Sequence, residues 1–373
     1  MITSLISSLK DMYVVSPDAA NAYEKAKGRL VDYVNKELET NPKILDLIGG
    51  NPFSIMRNNH SNHATFLITV FKIGSYELLA RTIPWVYRAY RARGFSYDYF
   101  PAELATWKSG VEKYLDSVYA SEIIKIYDWM INNHENMIQL SVSGEGLTFS
   151  LQSETTAMQD VFLSLLLHGD SRGSLQLANS SIQTIDDVKR FYLDVVCPVM
   201  YRIGLLWERN EISVAEEHVA TAIVGRIAAA LYPRFANVDA YRGKVVVTAG
   251  PNEFHEVGAR MLADFLEMDG WNVTYLGANI PKEELLAILK EHKPFMVALS
   301  VATVFNLDNA RQTIDAIKAD KETGNIKIML GGLAFNGMPL LWRDFGADGY
   351  AADAGKGTLS ANDLWEHSQH ERA

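Results

Sequence analysis

The spacing of apolar residues changes once along this chain. Up to about residue 236 they recur every three to four positions, as on one face of a helix; beyond Lys244, short β-branched runs alternate with helical stretches. Ala22 to Leu38 reads as helix, and Ser61 to Tyr90 as a long apolar-rich stretch carrying Pro84. Proline lacks the backbone donor and disfavours helix at the residue before it, which predicts a break near Ile83. Gly94 to Pro101 reads as an aromatic-rich connection, with a helix beginning at Pro101 and its successor ending near Gln139. Ser141-Val-Ser-Gly-Glu-Gly146 reads as a linker. Helices resume from Thr155 to Ala236, about four of them, with Val161, Leu165 and Leu166, then Ile223, Ile227 and Leu231, at helical spacing.

From Lys244 the expected strands are Val245–Ala249, Trp271–Leu276, Phe295–Val301, Lys327–Leu330 and a short Gly349–Ala351. Between them fall helices at Val257–Met268, Pro281–Glu291, Leu307–Lys318 and Leu340–Asp344. Strict alternation implies right-handed crossovers and a parallel sheet. The expected class is therefore α and α/β, in three parts: residues 1–145 helical, 150–240 a four-helix bundle, 243–373 a parallel α/β domain. Ligands of such sheets sit beyond the carboxyl ends of the strands, here in the loops after Ala249, Leu276, Val301 and Leu330.

Composition narrows the chemistry. The 373 residues carry a net charge of −10 and a single cysteine, Cys197, which excludes intramolecular disulfides and multi-cysteine metal sites. Cys197, before Pro198, reads as a buried structural residue. Arg81, Arg88, Arg91 and Arg93 lie close together but read as a solvated helix face; with this acidic balance, no nucleic-acid partner is expected. No apolar run reaches the length of a membrane span, and the first ten residues have no secretory pattern, so a cytoplasmic protein with no membrane partner is expected.

The unusual residues fall in the expected ligand loops. After the first strand comes Gly250-Pro-Asn-Glu253-Phe254-His255-Glu256-Val257-Gly258; after the third, Ser300-Val301-Ala302-Thr303; after the fourth, Gly331-Gly332. A loop histidine with a carboxylate two residues earlier suits a metal ligand, because one ring nitrogen coordinates while the other donates to an acceptor that fixes the ring. The glycines let backbone approach a bulky group.

These three segments resemble the cobalamin-binding domain shared by methionine synthase, base-off mutases, corrinoid methyl carriers and cobalamin photoreceptors. Glu replaces the commoner Asp at 253, and Ala302 stands at the third position of the Ser triplet. The resemblance implies a flavodoxin-like fold in which His255 displaces the cofactor's own base and ligates cobalt from below. By the same resemblance, Glu253 hydrogen-bonds the far nitrogen of His255. The displaced nucleotide tail enters a slot lined by Ser300 and Thr303 and floored by Gly331-Gly332.

In the preceding bundle, Trp207, nine residues, then Glu217-His218 is similar to the signature of light-sensing adenosylcobalamin proteins. That similarity implies Trp207 packs over the adenosyl group and Glu217 and His218 contact it. In that family a His directly after the Trp takes the upper cobalt position in the light. Here the residue is Glu208, so that step is not carried over.

Residues 1–145 do not resemble the basic winged helix of the photoreceptor repressors. They hold His60, His63, Trp85, Tyr87, Arg88, Tyr90 and Tyr99, a set suited to a haem or a linear bilin. The arrangement is similar to the photocobilins, which implies biliverdin, bound non-covalently because Cys197 lies elsewhere; a structural or dimerisation domain is the other reading. The expectation is an adenosylcobalamin photoreceptor, non-enzymatic, changing conformation or self-association as a homo-oligomer. The alternative is a corrinoid protein carrying methyl groups for a methyltransferase.

Overall fold

A computed structural model describes residues 2–10, 15–143, 155–236, 238–338 and 340–370. The chain forms two compact units: Met1–Leu147 with Glu208–Glu211, and Thr148–Trp207 with Ile212–Ala373.

The first unit is helical among its described residues. Its long helices are Pro17–Glu39, Phe53–Ile73, Tyr76–Ala92, Tyr99–Tyr114, Ser117–Asn132 and His134–Ser143. Ser16 caps the first of these, accepting the Ala19 N–H at 3.2 Å. The break expected near Ile83 is not there. Gly74, at φ +71°, ends Phe53–Ile73 instead, and Pro84 lies within Tyr76–Ala92. Buried Leu79, Ile83, Pro84 and Tyr87 explain this: packing of that face outweighs the lost proline hydrogen bond. The next helix begins at Tyr99 rather than Pro101, which stands in its first turn. Of the expected linker, Ser141–Ser143 end a helix, while residues 144–146 lie outside the described residues.

The second unit joins a helical bundle to an α/β layer. The bundle consists of Ala157–Leu167, Ser171–Ser181, a run from Ile185 to Glu208 and Val214–Leu231, matching the expected number of helices. The long run holds a π turn at Tyr192–Val196, just before Cys197–Glu208. Pro198 accounts for it. Without an N–H it cannot bond the Asp194 carbonyl, which accepts the Gln159 side-chain amide at 2.7 Å.

Five parallel strands follow: β1 (Lys244–Ala249), β2 (Asn272–Tyr275), β3 (Met296–Ser300), β4 (Lys327–Gly331) and β5 (Gly349–Ala351), in the order β2-β1-β3-β4-β5. This is the expected flavodoxin-like order, whose switch point lies between β1 and β3. Val247, Ala298 and Met329 stand in register across β1, β3 and β4. They share a core with Ala259, Ala263 and Leu266 of helix Val257–Met268. The opposite side of that helix supplies Met261, Phe265 and Met268 to the core of the bundle. The sequence reading missed a last helix, Ala354–His370, whose first turn is capped by Asp353, accepting the Lys356 N–H at 2.8 Å. Among the described residues, no helix is long and apolar enough to cross a membrane.

Candidate functional site

The loop after β1 is built by turns rather than by packing. Asn252 takes a positive φ of 59°, and the Glu253 N–H returns to the Gly250 carbonyl at 3.0 Å. The Asn279 side-chain oxygen accepts the Asn252 N–H at 3.0 Å, and the Asn279 N–H donates to the Glu253 carbonyl at 3.0 Å. The turn drives the Glu253 side chain inward, to 1% exposure, while His255 stays 62% exposed at the rim.

His255 Nδ1 donates to Glu253 Oε1 at 2.5 Å, so the ring presents Nε2 outward. The other oxygen, Oε2, accepts the Ala302 and Thr303 amides at 2.9 and 3.0 Å, the Thr303 hydroxyl at 3.3 Å and the Asn306 amide at 3.2 Å. Burial pushes this carboxyl up, but the donations from His255, Thr303 and Asn306 outweigh it and hold it at about 2. The bond to Glu253 in turn raises the His255 pKa against its burial, and the charge of Glu217 adds to the rise.

Ala302 therefore serves through its backbone, which explains why a small residue suffices there. Thr303 stands beside it. Its amide and hydroxyl both support Glu253. Asn306, six positions after Ser300, was not foreseen, and its only sequence signal is a polar side chain at the start of a helix. Phe254 is 71% exposed beside His255, and Glu256 accepts a long hydrogen bond, 3.4 Å, from the Tyr275 hydroxyl. Val257 packs against the bundle core.

Beneath this rim lies a cavity of about 90 Å³ between sheet and helix. Gly258, Ser300, Gly331 and Gly332 line it, together with Val247, Ala298 and Met329. Val301 is buried beside it, and its backbone oxygen would lie 2.4 Å from a Cβ at Gly332, where φ is +96°. The glycine at 332 is thus required by the protein's own backbone, and not only by an inserted group. Cys197 and Tyr201, from the bundle, also line the cavity, a contribution the sequence did not disclose. Burial pushes the Cys197 thiol up to about 12, in keeping with its expected structural role.

The donor set and the cavity fit a corrinoid. An outward imidazole nitrogen stands at the rim, with its partner nitrogen fixed by a buried carboxylate. The slot beneath is kept open by Gly258, Ala298 and Ala351. His255 would hold the cobalt. Among the described residues, no group of three or more His, Cys, Asp or Glu could hold a metal ion.

In the bundle, Ser213 caps Val214–Leu231 in a reciprocal box with Glu216. That places Glu217 and His218 in the first turn, with His218 Nδ1 donating to Glu217 Oε2 at 2.5 Å. The Thr221 hydroxyl steadies the other Glu217 oxygen at 2.9 Å. His218 is 74% exposed, and Trp207, half-buried, stands near the end of helix Cys197–Glu208.

In the first unit the aromatic and histidine set is brought together but turned upon itself. His60 is fully buried, bonded to Asn35 at 2.6 Å and to the Tyr99 hydroxyl at 2.8 Å. His63 meets the Tyr127 hydroxyl at 3.3 Å, and Tyr87 stacks on Phe100 at 3.7 Å. Burial lowers His60 to about 4 and His63 to about 3, so both are neutral, and raises Glu103 beside them to about 7. The Tyr90 ring packs on Phe95 and Phe100, while Trp85 and Arg88 are partly exposed.

Known proteins share the second unit. Residues 243–361 match a family model described as B12 binding domain, and residues 158–232 match a second model of the same description. Dimethylamine corrinoid protein 1 of Methanosarcina acetivorans is 25% identical over 169 residues, 44% of this chain and 78% of that protein. HTH-type transcriptional repressor CarH of Myxococcus xanthus is 23% identical over 258 residues, 69% of this chain and 80% of that protein. The solved structure of Methanosarcina barkeri monomethylamine corrinoid protein is similar with a TM-score of 0.49 at 16% identity, covering 56% of this chain and 98% of that one.

Proposed function

As a member of the B12 binding domain family through residues 158–232 and 243–361, this chain binds cobalamin, and we propose that it does so as a light sensor using the adenosyl form. The observation that supports this reading is the first turn of Val214–Leu231, a helix that shares the bundle core with Val257 and Met261 of the helix following the His255 loop. That turn carries the Glu217-His218 pair, and Trp207 precedes it.

In this reading His255 would hold the cobalt through Nε2, with Glu253 fixing its ring and tautomer. Ser300 and the glycines at 258, 331 and 332 admit the nucleotide tail. Trp207 would cover the adenosyl group and exclude water, while Glu217 and His218 would hold its polar edge. The bound group supplies a cobalt–carbon bond that visible light breaks. The chain's response is a change in bundle packing read out as altered self-association, without catalysis. Glu208, a carboxylate, follows Trp207 and is not assigned to cobalt.

The aromatic and histidine set of the first unit extends the proposal to biliverdin as a second chromophore. A bilin there would displace the His60–Tyr99 and Tyr87–Phe100 packing. Titration with biliverdin tests this: saturable red-shifted absorbance supports a second chromophore, and none ends the idea.

The main test is the absorbance of protein loaded with adenosylcobalamin in the dark and after green light, with size-exclusion chromatography of both samples. A light-driven spectral change with altered elution is expected. Tight binding with photolysis no faster than that of free cofactor, and unchanged elution, would overturn the sensor in favour of a methyl carrier.

A further inference from the structure

The cavity below the rim is bounded on one side by a helix that belongs to the bundle. Cys197 and Tyr201 line it, and both belong to Cys197–Glu208, the same unbroken α-helical stretch that carries Trp207. At ~1.5 Å per residue, Tyr201 and Trp207 are separated by only about 9 Å along the axis. Gly204 stands between them, and nothing lies within 4 Å of where its Cβ would be. Residues three apart are neighbours on a helix surface, so Tyr201, Gly204 and Trp207 form a continuous line. That line begins at the slot, passes an open position and ends at the aromatic ring assigned to the upper face.

The start of this stretch is less firmly tied than an ordinary helix interior. The π turn at Tyr192–Val196 precedes it, and Pro198 has no N–H to give the Asp194 carbonyl, which accepts the Gln159 side-chain amide. Val199 and Ile203 bury one side of the stretch in the bundle core, while Cys197 and Tyr201 line the cavity. Burial, with Cys197 and Asp353 adding to it, raises the Tyr201 hydroxyl well above its usual range, so the group stays a neutral donor at the cavity wall.

We propose that Tyr201 is a positioning residue that couples occupancy of the slot to Trp207, an inference that rests on the cobalamin site described above. A nucleotide tail in the cavity packs against Tyr201, fixes the stretch Cys197–Glu208 and so holds Trp207 over the upper face. A corrinoid lacking the tail fills the rim but does not pack against Tyr201. The same helix thus senses the lower end of the cofactor and guards the upper one.

The test compares hydrogen exchange of amides 199–208 in the full chain, saturated in the dark with adenosylcobalamin or with adenosylcobinamide, which has the corrin ring but no nucleotide tail. In the wild type the tail-bearing cofactor is expected to slow exchange by roughly tenfold more than the tail-less one, as a local opening equilibrium would. Tyr201→Ala should erase that difference while both cofactors still bind, and Tyr201→Phe, which keeps the ring, should retain it. Ala298→Leu narrows the slot from the sheet side without touching the helix. It should make adenosylcobalamin protect no better than adenosylcobinamide, and it replaces Tyr201→Ala if that variant fails to fold. Equal protection by both cofactors in the wild type, or a tail-dependent difference that survives Tyr201→Ala, overturns the coupling. Failure of the wild type to bind either corrinoid would instead overturn the site itself.

Discussion

Tyr192 donates its hydroxyl to Asp264 at 2.9 Å, a buried bond from the π turn of the bundle to the first helix of the α/β layer. Burial raises the Asp264 pKa to about 7 against the pull of Tyr192 and Arg260, and Glu267 nearby adds to the rise. Because the folded state holds this proton above the pH at which the unfolded chain releases it, stability falls as pH rises from about 4 to about 7 and levels off above. Asp264→Asn should remove this share of the slope and be relatively more stable at pH 8 than at pH 4. Denaturant titrations across that range would refute the assignment if the two proteins showed parallel pH profiles.

Glu253 is held by donors on every side, and Glu253→Gln would turn an amide N–H toward them. Losing an outer partner of this kind typically lowers metal affinity about 10–100-fold. Corrinoid titrations followed by absorbance should show that loss, and His255→Ala should also lose the spectral signature of an axial imidazole. An unchanged spectrum in His255→Ala would remove His255 from the metal.

Gly332 combines a φ of +96° with a Cβ position 2.4 Å from the Val301 oxygen. Gly332→Ala should destabilise by about 1–3 kcal/mol from backbone strain alone, with the clash adding to it. Thermal unfolding of the protein without cofactor checks this; an unshifted midpoint would mean that the loop yields freely.

The cap on Val214–Leu231 offers a milder change. Ser213→Ala removes the acceptor for the Glu216 N–H, 3.2 Å away, and should cost about 1 kcal/mol. Since Glu217 and His218 lie in the same turn, cofactor release in the dark should quicken while the sheet is untouched. Equal release rates would separate that turn from the ligand.

The α/β half was the most legible part of the sequence, because doubly buried strands such as Val245–Ala249 and a loop motif with fixed spacing leave few alternatives. Helix Val257–Met268 was readable to the residue from its period. The terminal helix Ala354–His370 was not. Its glycines at 355 and 357 suggest a turn, and the Asp353 cap with packing of Ala361, Leu364 and Trp365 in the sheet core supports the helix. Pro84 misled for the opposite reason, since a local rule lost to tertiary packing. At the site, Glu253 and His255 stood out through the resemblance of three loop segments to a known domain, since their spacing alone is a weak signal. The amides of Ala302 and Thr303, the Asn306 side chain and the bundle's Tyr201 could not be foreseen, because they meet the site only through folding.

Helix Val257–Met268 gives Ala259, Ala263 and Leu266 to one core and Met261, Phe265 and Met268 to the other. The two B12-binding segments of the sequence, separable on paper near residue 240, are therefore not interchangeable building blocks. A chimera that paired this bundle with a different corrinoid domain would inherit a foreign helix face and meet it with an ill-fitting apolar surface. Recombination of such halves is constrained to partners that change this helix together with the bundle.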